Sequence, residues 1–209
     1  MGGAASLIER ERENAWRGRG RDQRMAGMTE TRADMFIEPE TDPRTDPPTL
    51  ADERDTLAAY LRWQRETLEL KCSGLDAEQL ARRAVEPSTM SLLGLIRHMA
   101  DVERGWFRRG MAAEQAPPIF YSKAEMDGDF DGAVADPDVV AEAWRAWREE
   151  VAFAERFVAD ARSLDITFED KWRGPTSLRW VLVHMIEEYA RHNGHADLLR
   201  ERIDGKLGQ

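Results

Sequence analysis

The sequence predicts an all-α protein, a four-helix bundle preceded by an N-terminal tail. Three observations carry this. Four long segments repeat apolar residues at spacings of three and four, the period of a helix with one buried face. Helix start and stop signals bracket those segments. No stretch shows the alternating apolar and polar period of a half-buried strand.

Residues 1–48 form the expected tail, disordered or extended. Its first part interleaves acids and arginines, Glu9-Arg10-Glu11-Arg12-Glu13 and then Arg17-Gly-Arg19-Gly-Arg21. It lacks the apolar core of a secretory signal, and the acids argue against an organelle transit peptide. Met28 and Met35 offer downstream start sites. The run Glu38-Pro-Glu-Thr-Asp-Pro-Arg-Thr-Asp-Pro-Pro48 is acidic and proline-punctuated, so it reads as an extended lead-in that packs little.

Residues 49–209 form the expected bundle. Leu57, Tyr60, Leu61 and Leu68 recur at helical spacing until Ser73-Gly74, a helix stop. A short helical piece covers Asp76 to Ala84 and ends before Pro87. The second long helix spans Ser91 to about Met111, with Leu92, Leu95, Ile96, Met99, Val102, Trp106 and Phe107 as its apolar set. A long loop rich in Pro, Gly and Asp follows. The third helix opens at Asp136-Pro137, a capping residue followed by proline in the first turn. It keeps Val140, Trp144, Trp147, Val151, Ala154, Val158 and Ala161 in the alternation of bundle packing. Trp144 and Trp147 therefore belong to the core stripe, while Trp106 and Trp180 are placed near the ends of the cavity. Another loop carries Gly174-Pro175, with Thr176 or Ser177 as the cap of the fourth helix. Its stripe is Leu178, Leu182, Met185, Tyr189, His192, Ala196, Leu199 and Ile203.

Bulk properties exclude several function classes. Hydrophobic residues at 42% and charged residues at 33% suit a soluble core. No apolar run reaches the roughly 18 residues of a membrane span. A net charge of -10 argues against nucleic acid, which needs a basic footprint. The single cysteine, Cys72, allows no internal disulfide and fits a reducing cytoplasm. It reads as a small buried apolar residue rather than a nucleophile.

The chemistry-bearing residues concentrate on two helices. His184, Glu187, Glu188, His192 and His195 lie on the fourth, and the remaining histidine, His98, on the second. At about 100° per residue, positions 184, 188, 192 and 195 fall within roughly 80° of one another. Glu188 and His192, four apart, can point at one ion, and burying them is costly unless something such as a divalent cation compensates. His98, between Leu95 and Val102, can face inward as a third ligand. Taken singly, His98 also reads as a hydrogen-bonded core histidine, and Glu187 and Glu188 as a solvated face pairing with Arg191. Spacing leaves the choice among His184, Glu188, His192 and His195 open.

Two phrases carry a family resemblance: Ser91-Leu-Leu-Gly-Leu-Ile-Arg-His98-Met-Ala-Asp-Val-Glu103-Arg, and Arg179-Trp-Val-Leu-Val-His-Met-Ile-Glu-Glu-Tyr-Ala-Arg-His192-Asn-Gly-His-Ala-Asp-Leu-Leu-Arg-Glu201. From about residue 36 onward the chain resembles the DinB superfamily, in particular its actinobacterial branch akin to mycothiol-dependent maleylpyruvate isomerase and mycothiol S-transferases. The resemblance implies a four-helix bundle holding a metal through one His of the second helix and two residues four apart on the last. It implies His98, Glu188 and His192 as ligands, in the Glu-x3-His variant rather than the commoner His-x3-His. Zinc is the expected ion, with nickel as the other candidate. Gly194 falls where the superfamily has glycine, and His195 where it has a polar residue.

The resemblance implies a metal-dependent thiol S-transferase, with mycothiol or a similar low-molecular-weight thiol as cosubstrate and a small electrophile as acceptor. His195 is then a candidate catalytic residue, handling a proton or supporting a ligand, with a partly exposed capping histidine as the plain alternative. Two rivals stand beside it: a metal-dependent hydrolase, and a non-catalytic stress-related or metal-sensing bundle. A homodimer is the expected assembly option. Asp127-Gly-Asp129-Phe-Asp131-Gly132 mimics the opening of a calcium loop, but Asp138 stands where that loop needs a bidentate glutamate. It reads as an acidic surface loop beside the mouth of the bundle.

Overall fold

Local signals place the helix ends, and a computed structural model describing residues 36–208 shows where they lead. Helix α1, Glu53–Cys72, begins where the Asp52 carboxylate accepts from the Asp55 amide and ends at Ser73. The next residue, Gly74, has φ of +72°, a backbone that side-chain-bearing residues rarely adopt. Helix α2, Ala77–Ala81, is held by a reciprocal capping box between Asp76 and Gln79. Helix α3, Leu92–Glu103, is capped by Ser91 and runs directly into a π-helical segment, Arg104–Met111. A single turn, α4, spans Gly128–Asp131. Helix α5, Pro137–Asp160, starts from the Asp136 cap with proline in its first turn, and α6, Leu178–Asp204, starts from Ser177.

The bundle pairs α1 with α6 and α3 with α5, and α3 also packs on α6. Their apolar stripes meet in a core that includes Leu61, Leu68, Leu95, Met99, Leu182 and Met185, all essentially inaccessible to solvent.

One expectation is corrected. The sequence reading has no strand, yet Thr167–Asp170 (β1) pairs antiparallel with Gly174–Ser177 (β2), with Phe168 opposite Thr176. The alternation in β1 lasts only four residues, too short to register beside the helical periods. The hairpin has a job in packing: Phe168 lies against Trp106, with ring centroids 6.2 Å apart. A Cβ on Gly110 of the π-helical segment would come within 3.0 Å of the Phe168 ring.

Of the expected N-terminal tail, residues 1–35 lie outside the described residues. Residues 36–48 are extended apart from a 3-10 turn at Pro39–Thr41, but they pack more than their prolines suggest. Arg44 donates to the Thr67 hydroxyl at 2.9 Å and lies over the Trp63 ring at 4.4 Å. Phe36 receives the Lys71 ammonium at 4.1 Å from its ring centre. Pairing of cations with aromatic faces is a signal that periodicity does not carry.

A buried polar chain joins all four long helices. Arg65 of α1 makes a two-pronged ion pair with Glu103 of α3, at 2.7 and 2.8 Å. The Tyr189 hydroxyl of α6 donates to the same carboxylate at 2.8 Å, and Trp147 of α5 donates its indole N–H to Tyr189 at 2.9 Å. Burial, and then the Glu103 charge, push the Tyr189 phenol well above its usual pKa, so it remains a donor. A second carboxylate, the buried Glu150 of α5, takes Arg104 and Arg108 of the π-helical segment, each at 2.6 Å.

Glu103→Ala strands the buried Arg65 cation and is expected to cost about 3–5 kcal/mol of stability. Tyr189→Phe leaves the Trp147 indole without its acceptor and is expected to cost about 1–3 kcal/mol. Urea denaturation of each variant against the parent measures both, and an unchanged midpoint for Glu103→Ala would show that the chain is not a tie between helices.

Candidate metal centre

The apolar stripes of α3 and α6 carry imidazoles to the same place. His98 and His192 meet with ring centroids 4.8 Å apart, inclined at 61°. On α6, Glu188 lies between two histidines, its carboxylate oxygens 3.6 Å from His192 Nε2 and 3.4 Å from His184 Nε2. Donors about 2.0–2.1 Å from a tetrahedral zinc ion stand about 3.4 Å from one another, so the Glu188–His192 pair is close to one edge of such a site. His192 is 9% exposed, and burial followed by the neighbouring His98 and His195 lowers its pKa to about 4. Its lone pair is therefore free at neutral pH, as a ligand requires. Among the described residues, no three His, Cys, Asp or Glu groups converge closely enough to hold an ion.

His195, one turn beyond, brings its Nδ1 to 3.3 Å from His192 Nδ1. His184 stands on the other side. Its ring stacks on Trp180 at 4.8 Å and meets the edge of Trp106 at 4.8 Å. Trp106 and Trp180 thus gather around one histidine, 5.4 Å apart, at one end of the site. Glu187 turns outward and pairs with Arg191, which lowers its pKa.

A third group comes from the acidic loop. Asp129, 6% exposed, sets its carboxylate 2.8 Å from His98 Nδ1. Three α3 residues seat this loop. Arg97 donates to the Asp129 and Gly128 carbonyls at 2.8 and 2.9 Å. His98 meets the Asp129 carboxylate, and Asp101 accepts the Ile119 and Phe120 amides at 2.7 and 2.8 Å. Close approach requires a missing Cβ in two places: one on Gly94 would lie 2.7 Å from Phe130, and one on Gly132 would lie 2.5 Å from Arg97. The calcium-like spelling is accounted for by different partners. Asp129 turns to His98, while Asp131 pairs with Arg83 at 2.9 Å. Sequence reasoning placed this loop at the mouth of the bundle but missed Asp129, because its partner lies 31 residues away and no spacing rule links them.

A cleft of about 520 Å³ opens over His98 and Asp129. Trp106, Phe130 and Phe168 supply apolar walls, and Arg109 and Tyr121, hydrogen-bonded at 3.2 Å, supply a polar one. Aromatic walls with a few convergent polar groups suit a small organic ligand.

From residue 56 to residue 205 the sequence matches the family model of mycothiol S-transferases. The chain belongs to the mycothiol S-transferase family. The match contains His98, Glu188 and His192 and agrees with the DinB-like resemblance of the two long motifs. Among solved structures, a conserved protein from Enterococcus faecalis aligns over 75% of this chain and 100% of its own, with a TM-score of 0.53 and 16% identity. At that identity the likeness concerns the fold. Comparison with curated proteins finds no match.

The lone thiol is outside this chemistry. Cys72 is 3% exposed, and burial pushes its pKa up to about 12. With almost no thiolate below pH 10, alkylation by iodoacetamide at pH 8 is expected to be negligible in the folded protein and complete in urea. Mass spectrometry of both samples measures it, and rapid labelling of the folded protein would contradict the burial assigned to this thiol.

Proposed function

We propose that this family member is a metal-dependent thiol S-transferase that joins a low-molecular-weight thiol of the mycothiol type to a small electrophile. One observation supports it above the others: a family match spans the helical pair on which His98 and His192 meet, with Glu188 3.6 Å from His192, and His98 lines an aromatic cleft.

His98, Glu188 and His192 are the residues that would hold the ion, zinc first and nickel second. Their donor types fit: two imidazoles and a carboxylate suit a borderline-soft divalent cation. Such an ion, once bound, supplies a site where a thiol loses its proton near neutral pH and becomes the nucleophile. The chain does the rest. The walls formed by Trp106, Phe130 and Phe168 present flat apolar surface to the acceptor. Arg109 and Tyr121 add donors to the cleft lining that could receive an electron-withdrawing oxygen of the electrophile. His195 contacts His192 and is the group placed to steady that ring or to pass a proton to solvent.

Elemental analysis of protein purified without an affinity tag is expected to find near-stoichiometric zinc or nickel, and the Glu188→Ala/His192→Ala double variant is expected to lose it. The same protein should consume a bromobimane-type or epoxide electrophile only when thiol is supplied. Turnover without thiol would favour the hydrolase reading. Metal without thiol binding would favour the non-catalytic bundle.

A further inference from the structure

We infer that Asp129 is the positioning residue of this site: it holds His98 with the ring proton on Nδ1, leaving the Nε2 lone pair as the one that could take an ion. The inference rests on the proposed ligand role of His98. It also makes a statement about this imidazole that can be checked without metal.

A carboxylate only accepts hydrogen bonds, so the 2.8 Å contact between Asp129 Oδ2 and His98 Nδ1 places the proton on Nδ1. The acceptor is itself fixed. The other oxygen of Asp129 takes the Phe130 amide at 3.0 Å, and Arg97 grips the Asp129 and Gly128 carbonyls. Phe130, the next residue, stacks on the His98 ring at 5.3 Å and 29°. The ring is thus held by one edge and one face, both from the same turn, α4. An imidazole tied to a carboxylate in this way is a better metal ligand, because its tautomer and orientation are set and its basicity rises. The loop that does this also contributes Tyr121, Asp127 and Phe130 to the cleft, so one latch orients a ligand and builds a wall.

The test uses the full chain with isotope-labelled histidine. In chelator-treated wild type, nitrogen NMR is expected to find His98 protonated on Nδ1, and in Asp129→Ala this preference is expected to disappear. Zinc affinity, read by competition with a chromophoric chelator, is expected to weaken about 10–100-fold in Asp129→Ala. Asp129→Asn keeps a carbonyl that accepts from Nδ1–H and is expected to recover part of the loss, with a shifted absorption spectrum for the cobalt-substituted protein. It also serves if the alanine variant does not fold. Asp131→Asn removes a charge from the same loop without touching His98 and should leave both readings unchanged. A proton on Nε2 in the wild type, undiminished zinc affinity in Asp129→Ala, or an equal loss in Asp131→Asn would each overturn the assignment. Undiminished zinc affinity in His192→Ala would instead sink the proposed metal site, while the NMR result on His98 would still decide the tautomer.

Discussion

The buried Glu103 carboxylate organises this molecule. It sits at zero exposure, so its charge must be met from inside the protein. Arg65 meets it from α1 and Tyr189 from α6, and Trp147 extends the chain to α5. Four helices that apolar stripes alone would allow to slide or rotate are thereby given one register. Such a chain is a weak source of net stability but a strong source of uniqueness, since any other register strands a charge or a donor in the core.

Glu103 is also the last residue of α3, and the backbone beyond it winds as a π-helix. The wider turn redirects the side chains of this segment. Trp106 reaches His184 and Trp180, while Arg104 and Arg108 lock onto Glu150. Its i→i+5 winding shifts the side-chain azimuth relative to α3. Short π-helical insertions are known to gather at functional sites. Here the segment borders the cleft directly.

The site is assembled in layers that answer to different forces. Hydrophobic burial brings His98 and His192 face to edge and holds His192 neutral. Hydrogen bonding then brings the acidic loop onto α3, through Arg97, His98 and Asp101 in turn. Burial raises the Asp101 pKa even though two backbone amides favour its charged form, a sign of how far this corner is shielded from water. The hairpin adds Phe168 to the wall of the cleft, beside Trp106.

Sequence by itself determined the long helices, their caps and most of their inward faces, because periodicity and capping are local properties of the chain, although Tyr60, read into the α1 stripe, is exposed. Asp136-Pro137, Ser177 and Ser91 began helices where their chemistry said they should, and the two motif helices marked the family. Spacing left His184, Glu188, His192 and His195 open on one helix face, and it was the resemblance of the two motifs that singled out His98, Glu188 and His192 as the expected ligands. Only the tertiary structure decided the partners that local pattern cannot encode. Asp129 spelled a calcium loop and became the partner of His98 across 31 residues. Glu103, which no local period singles out, became the hub of the core. The four-residue strand β1 carried too little alternation to be seen. For Asp129 and Glu103 the deciding energy is electrostatic and acts between residues distant in sequence, where no period exists to reveal it.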